Sequence, residues 1–390
     1  MSPATTLEPT PTPAGVGWPF PRRLGRVKGE PGPVVFVVGG MHGNEPAGAF
    51  AALDVIAALT ERGTPLRGEL VAVAGNRKAL EADERFLAGD LNRRWTPARV
   101  AQVRAQDPAE DDAEDAEQRE ILAELDQAEA RGPLGLVVLD LHTTSGGGPP
   151  FVIMSDTLRN RGIAFALPVT TILGLEETVD GTFLDYVAAR GHVGLGVETG
   201  QHRDALARML HRSVIWLTLI AAGVVREADV PDAEAHRAAL RTASGGAPQV
   251  VELLCRHGVA PEDDFRMRPG YVGFQPIQKG EHLADNVRGP VRAPDHGLIL
   301  MPLYQPQGSD GFFIVQAVKG SWLRLSALLR RLRAHWWLAL LPGVRRHPER
   351  PHTLVVDPAI ARVKVVQFFH LLGYRRQRQE AGRLVFERRV

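Results

Sequence analysis

Two residues separate His42 from Glu45 in the segment VVFVVGGMHGNEPAG, Val34 to Gly48, and His142 follows a second apolar run in LVVLDLHTTS. Two imidazoles and one carboxylate form a ligand set that a catalytic zinc takes, with a further position left for water. In His-x-x-Glu on a turn leading into a helix, both side chains can point at one ion. A third ligand from another strand end sets the site on rigid elements. Gly39, Gly40 and Gly43 let the backbone turn tightly beside such an ion, and Asp140 is placed to orient a ligand. Zinc lowers the pKa of its water to about 7, but a hydrolase also needs a general base. Glu198, near the end of the strand-like VGLGVETGQ, is the candidate, and partial burial there would raise its pKa towards the working range. Taken alone it could equally cap the next helix. Between the ligand segments lie Asn76-Arg77 and Asp90-Leu91-Asn92-Arg93. An arginine beside the metal can polarise a scissile carbonyl, and another can hold a substrate carboxylate by two parallel bonds.

These residues need a sheet to bring them together. Val34–Val38, Glu69–Ala74, Leu136–Leu141, Phe151–Met154 and Val193–Glu198 read as strands, apolar almost throughout, as expected when helices cover both faces. Pro46–Leu59, Ala109–Ala130 and Arg203–Val225 read as helices, the second acidic enough to be a solvated surface helix. Glu227–Gly258 reads as helical and transitional. This is an α/β domain over residues 33–258, with a mixed sheet flanked by helices. Residues 259–320 are rich in Gly, Pro and short alternating runs and form a small β-rich domain. Residues 321–390 form a C-terminal α+β extension. Its Ser321–Leu341 helix carries Leu325, Leu328, Leu329, Leu332 and Trp336 at helical spacing among arginines. That stripe is expected to dock on its own domain or on a partner subunit, giving a possible homo-oligomer; a membrane surface is the alternative. A strand at Thr353–Val356, a helix at Ile360–Leu372 and a hairpin-like end follow. Residues 1–32 read as a disordered tail, Pro- and Thr-rich at its start.

Bulk properties exclude several classes. The chain has 390 residues, 44% hydrophobic and 23% charged, with a formal net charge of +1, so no global charge favours nucleic acid. The single cysteine, Cys255, precludes an internal disulfide or a cysteine-rich zinc site. No signal-peptide pattern and no transmembrane segment is visible. A cytoplasmic location is expected.

HGNE, NR, DLNRRW, DLHTTS and GVETG, in this order and spacing, resemble the succinylglutamate desuccinylase/aspartoacylase family of the zinc carboxypeptidase superfamily. GFQPIQKGEHLADNVRGPV looks like the family's C-terminal β-domain. The resemblance covers about Val34 to Val318. It implies a zinc-carboxypeptidase-like sheet and one zinc ion per chain on His42, Glu45 and His142. It implies Glu198 as the general base that activates the zinc-bound water, Arg77 as the carbonyl-polarising arginine, and Asn92 and Arg93 as substrate-carboxylate binders. It points to Tyr304 as a substrate-binding tyrosine from the second domain. The family's amino-acid-specific members carry a further arginine before the general base; Ala188 stands at that position, with Arg190 nearby.

The expected protein is thus a zinc-dependent amidohydrolase, acting on linear amides rather than peptide bonds and cleaving an N-acyl amino acid or related small amide. A carboxypeptidase acting on short peptides is the enzymatic alternative. A metal-binding assembly protein is the non-enzymatic one.

Overall fold

The computed structural model describes residues 20–133, 135–305, 308–357, 363–380 and 382–388. The catalytic region holds strands β1 (Arg23–Lys28), β2 (Glu30–Gly39), β3 (Arg67–Ala74), β4 (Leu136–Thr144), β5 (Phe151–Ile153), β6 (Thr170–Leu173), β7 (Val193–Gln201) and β8 (Val250–Gly258). Its helices are α1 (Ala47–Arg62), α2 (Arg77–Ala82), α3 (Pro97–Ala105), α4 (Ala113–Arg131), α5 (Leu158–Ala164), α6 (Phe183–Ala189), α7 (Ala205–Ala221) and α8 (Ala233–Ser244). The β-rich segment adds β9 (Arg266–Met267), β10 (Pro276–Ile277), β11 (His282–Asn286), β12 (Gly289–Arg292), β13 (Gly297–Leu300) and β14 (Asp310–Ala317). The extension holds α9 (Gly320–Arg331), β15 (Val344–Arg346), β16 (Thr353–Val356), α10 (Val363–Leu371), β17 (Tyr374–Glu380) and β18 (Arg383–Arg388).

Eleven strands form one mixed sheet in the order β1-β3-β2-β4-β7-β5-β6-β8-β14-β13-β10. The expected mixed α/β fold is the one observed. Strands β3, β2, β4 and β7 run parallel at its centre. Along β2 the side chains alternate between two cores. Val35 and Val37 join the Leu59 and Ile215 side, whereas Val34, Phe36 and Val38 join the Ile121 and Phe183 side. That two-sided burial explains the unbroken apolar runs.

Four expectations are corrected. Residues 1–19 lie outside the described residues, but the rest of the expected tail is structured: β1 pairs antiparallel with β3, and Phe20 packs edge-on against Phe50 at 5.1 Å. The β-rich segment is not a sheet apart, because β14 pairs with β8 and continues the main sheet; only β9, β11 and β12 form a separate small one. Glu227–Gly258 holds both α8 and the strand β8, divided by the Gly-rich stretch Ser244–Pro248.

The fourth correction concerns α9. Leu325, Leu328, Leu332 and Trp336 are exposed rather than docked on the domain. Only Leu329 of the stripe packs against the extension's own core. The helix ends near Arg333, whose φ of 54° separates it from a short 3-10 turn at Ala334–Leu340. Its buried side is polar. Arg330 donates to Asp156 Oδ2 at 2.8 Å, alongside Arg375 at 2.5 Å, and Arg161 donates to Oδ1 at 2.6 Å. Burial works against the Asp156 carboxylate, but the three guanidiniums hold its pKa well below the usual range. This ionic anchor, not the apolar stripe, sets the helix's rotation.

Candidate metal centre and catalytic cavity

The three central parallel strands β2, β4 and β7 end side by side, the edge where open α/β sheets place ligands. Past β2 the chain turns at Gly40, whose φ is +80°. A Cβ on Gly39 would come within 2.2 Å of the Ala49 backbone nitrogen, so α1 packs directly against the strand end. This puts His42 and Glu45 just before α1. His142 lies on β4, and in the parallel register it stands opposite Glu198 on β7.

His42, Glu45 and His142 are all buried, and each offers a ligand atom within 4.8 Å of the others. Nδ1 of His42 lies 3.0 Å from Glu45 Oε1, and Nδ1 of His142 lies 3.2 Å from Glu45 Oε2. The opposite ring nitrogens face aspartates. Nε2 of His42 is 3.2 Å from Asp90 Oδ1, and Nε2 of His142 is 2.9 Å from Asp140 Oδ2. A carboxylate behind each imidazole fixes its orientation and raises its basicity, as around bound metals. The Thr143 N–H also donates to Glu45 at 2.8 Å. Burial opposes ionisation of Glu45, yet the two imidazoles hold its pKa well below the ordinary value. Burial opposes the charged His142, yet Asp140 and Glu45 raise its pKa well above the usual one. A two-His, one-carboxylate donor set in this arrangement fits a zinc-type cation.

Glu198 lines the same cavity. Burial pushes its carboxyl up to about 8, although the nearby His142 works to lower it. Its Oε2 has no hydrogen-bond partner. A buried acid aimed into a cavity with a raised pKa is the condition for proton transfer near neutral pH.

The arginine expected to act on the carbonyl is not at the cavity. Arg77 opens α2, where its Nη2 donates to Glu120 at 2.7 Å and its Nε lies 3.5 Å from Glu117. It does not line the cavity; Arg85 does. Arg85 Nη2 lies 2.9 Å from His42 Nε2 and 3.3 Å from Asp90 Oδ2, and Nη1 lies 3.5 Å from Glu45. Helix α2 is only one and a half turns long, so its first residue points back to α4, and the 83–90 loop carries a different arginine inward. That loop is held by Glu114, buried in the first turn of α4. Glu114 accepts from the N–H groups of Leu87, Ala88 and Gly89 and from Asn76 Nδ2. The expected solvated face of α4 is therefore partly an interior one: Glu114, Asp115 and Glu117 are all buried.

Asn92 and Arg93 line the cavity. Asn92 Oδ1 accepts from the Phe183 N–H at 2.8 Å, and Arg93 Nη2 is 3.7 Å from Asp310. Tyr304 does not line the cavity. It is exposed, and its hydroxyl donates to backbone oxygens of Arg268 at 2.9 Å and Tyr271 at 3.1 Å. Arg190 is also outside, bonded to Glu129 and to the Tyr186 hydroxyl. His202 also lines the cavity, with Nδ1 2.8 Å from Thr143 Oγ1. Neither Arg85 nor His202 had a spacing signal of its own. The cavity measures about 150 Å3, and Met301–Leu303 and Ser309–Asp310 of the β-rich segment help close it.

A buried His-Glu-His cluster and a facing carboxyl at parallel strand ends define a metal-centre type of hydrolase site. Residues 31–209 match the profile of the succinylglutamate desuccinylase/aspartoacylase catalytic domain. That part of the chain is similar to the catalytic domain of this family, whose members are deacylases. No curated protein matches the chain by sequence. Among solved structures, a succinylglutamate desuccinylase/aspartoacylase from Rhodobacter sphaeroides is 19% identical, covering 75% of this chain and 88% of its own, with a TM-score of 0.52. The product-bound ectoine utilization protein EutE (DoeB) from Ruegeria pomeroyi is 20% identical over 75% and 87%, with a TM-score of 0.53. Succinylglutamate desuccinylase from Vibrio cholerae is 17% identical over 74% and 82%, with a TM-score of 0.52. At these identities the likeness is one of fold.

Proposed function

We propose that this chain is a zinc-dependent amidohydrolase that cleaves the amide bond of an N-acyl amino acid or related small amide. The observation that carries the reading is the convergence of His42, Glu45 and His142 on one point, with Glu198 and Arg85 on the walls of the same cavity. Nδ1 of His42, the Glu45 carboxylate and Nδ1 of His142 would hold the zinc, which when bound supplies a Lewis acid and an acidified water.

The chain's own residues do the rest. Glu198 takes a proton from the attacking water and returns it to the nitrogen of the leaving amine; its carboxyl is free to do so because no protein donor occupies Oε2. Arg85, in place of Arg77, directs its guanidinium at the acyl oxygen and stabilises the charge that develops there. Arg93 takes a substrate carboxylate. Asn92, with Oδ1 committed to Phe183, gives substrate its Nδ2 donors. The other walls are apolar: Ile153, Leu175, Val179, Leu184, Leu303 and Phe313. One substrate arm is therefore anionic and the other largely apolar. The small cavity volume favours such an amide over the peptide of a carboxypeptidase.

The test is a screen of the purified protein against N-acetyl, N-succinyl and longer N-acyl amino acids, with metal content measured in parallel. About one zinc per chain is expected, and Glu198→Gln should abolish turnover while keeping the metal. An active protein free of metal, or a fully active E198Q, refutes the reading.

A further inference from the structure

A second cavity lies where the extension meets the catalytic domain. Its volume is about 620 Å3, within the range of small-molecule sites. It shares no lining residue with the hydrolytic cavity. Six arginines line it: Arg159 on α5, Arg330 on α9, Arg333 after α9, Arg346 on β15, Arg350 before β16, and Arg388 on β18. Three histidines join them, and no Asp or Glu is among the described lining residues.

Of these, Arg333, Arg346 and Arg388 have no carboxylate partner among the described residues. Arg330 reaches the buried Asp156. Arg346 lies over the Trp336 ring at 4.5 Å. Arg350 Nε donates to His347 Nε2 at 3.2 Å. Arg388 lies 6.0 Å from the Tyr374 ring centroid with Nη1 3.0 Å from His335 Nδ1, and its buried Nε has no partner. Burial, then the positive charge of Arg388, His352, Arg346 and Arg333, push His335 down to about 4. A guanidinium binds oxyanions through a fixed fork of donors. Arg333, Arg346 and Arg388 come from three separate elements, so a tetrahedral anion meets them better than a planar carboxylate does.

We propose that this cavity binds a multiply charged phosphate anion. The phosphate could belong to a soluble molecule or to a lipid headgroup, since Trp337 and Leu340, close in sequence to the cavity's Trp336, are 76% and 82% exposed.

Calorimetric titration of the full chain with sodium pyrophosphate at constant ionic strength tests this. Saturable binding at one site per chain is expected, at least about ten-fold weaker in R333Q/R346Q, which corresponds to about 1.4 kcal/mol. Both side chains are exposed, so the double variant should fold, and its circular dichroism checks that. Metal extraction by pyrophosphate at the hydrolytic site would affect both proteins alike. No saturable heat, or equal affinity in the double variant, overturns the proposal. Co-sedimentation with vesicles of phosphatidylcholine and phosphatidic acid separates the sources. Sedimentation that pyrophosphate competes away supports a lipid headgroup, and pyrophosphate binding without sedimentation supports a soluble phosphate. Sedimentation that neither pyrophosphate nor R333Q/R346Q weakens overturns the cavity as the site.

Discussion

Replacing Glu114 with Ala should disable the cavity without touching it. Glu114 is fully buried and accepts four hydrogen bonds, from Leu87 N at 2.7 Å, Ala88 N at 2.8 Å, Asn76 Nδ2 at 3.0 Å and Gly89 N at 3.2 Å. Its place in the first turn of α4 also sets its charge at the favourable end of the helix dipole. Truncation leaves four donors without an acceptor, each costing about 1–3 kcal/mol if it stays buried. The sum will not be reached, because Leu87 is already 46% exposed and the loop can peel outward to water. A loss of about 2–4 kcal/mol is expected in urea unfolding. The same movement withdraws Arg85 from His42 and Glu45, so kcat on any active substrate should fall by about 100-fold, the scale of one lost oxyanion donor. Metal content should fall less than activity, since β2 and β4 carry the ligand segments and the 42–45 turn meets the loop at one backbone bond, Gly43 N–H to Arg85 O at 3.1 Å. An E114A protein with unchanged kcat and unfolding midpoint refutes the reasoning. Loss of metal in step with activity refutes the division between the loop and the ligands.

Arg85→Ala should lower kcat by about 100- to 1000-fold, while Arg77→Ala should leave kcat within about two-fold and cost under about 1 kcal/mol as a partly exposed ion pair; the reverse order in steady-state kinetics would restore Arg77 to the site. Asp156→Asn strands three buried guanidiniums and should cost about 3–5 kcal/mol, read as rapid proteolysis and faster amide exchange of the extension with hydrolysis retained; unchanged protection of α9 argues against the ionic anchor. In protein stripped of metal by a chelator, the folded chain keeps a proton on Glu198 up to about 8, which the unfolded chain releases near 4.5. Stability should therefore fall as pH rises between those values, and E198Q should flatten that slope; parallel Tm-versus-pH curves for the two proteins count against a buried, unpartnered carboxyl.

The apolar periodicity made the central strands legible because hydrophobic runs report two-sided burial directly. It also located His42, Glu45, His142 and Glu198, since each sits at or just beyond an apolar run. What it could not convey was which charged residues turn inward. Arg77 and Arg85 are equally plausible on composition; a tertiary contact between α2 and α4 decides between them. The acidic face of α4 reads as solvated because charge normally marks water contact, yet here it caps the loop that carries Arg85. The α9 stripe is not docked on its own domain for the converse reason. Its leucines predict a buried face, but three guanidiniums around one buried carboxylate set the rotation and leave the leucines outside.

The same attention to buried charge explains why the catalytic cavity suits a cation. Glu45, Asp90 and Asp140 crowd two imidazoles and one arginine, and Glu198 stands beside them. Asp90 keeps its charge against burial only because His42 and Arg85 adjoin it. Burial above all drives Glu198 to about 8, with the Glu45 and Asp140 carboxylates adding to it against His142 and Arg85. A divalent cation on the three ligands would offset the excess and lower the Glu198 pKa towards the range where a carboxylate can accept a proton from water. The arrangement would thus couple the two halves of the proposed chemistry: the group that would generate the nucleophile would also tune the base, and Glu198 would become an effective base only with the ligands filled.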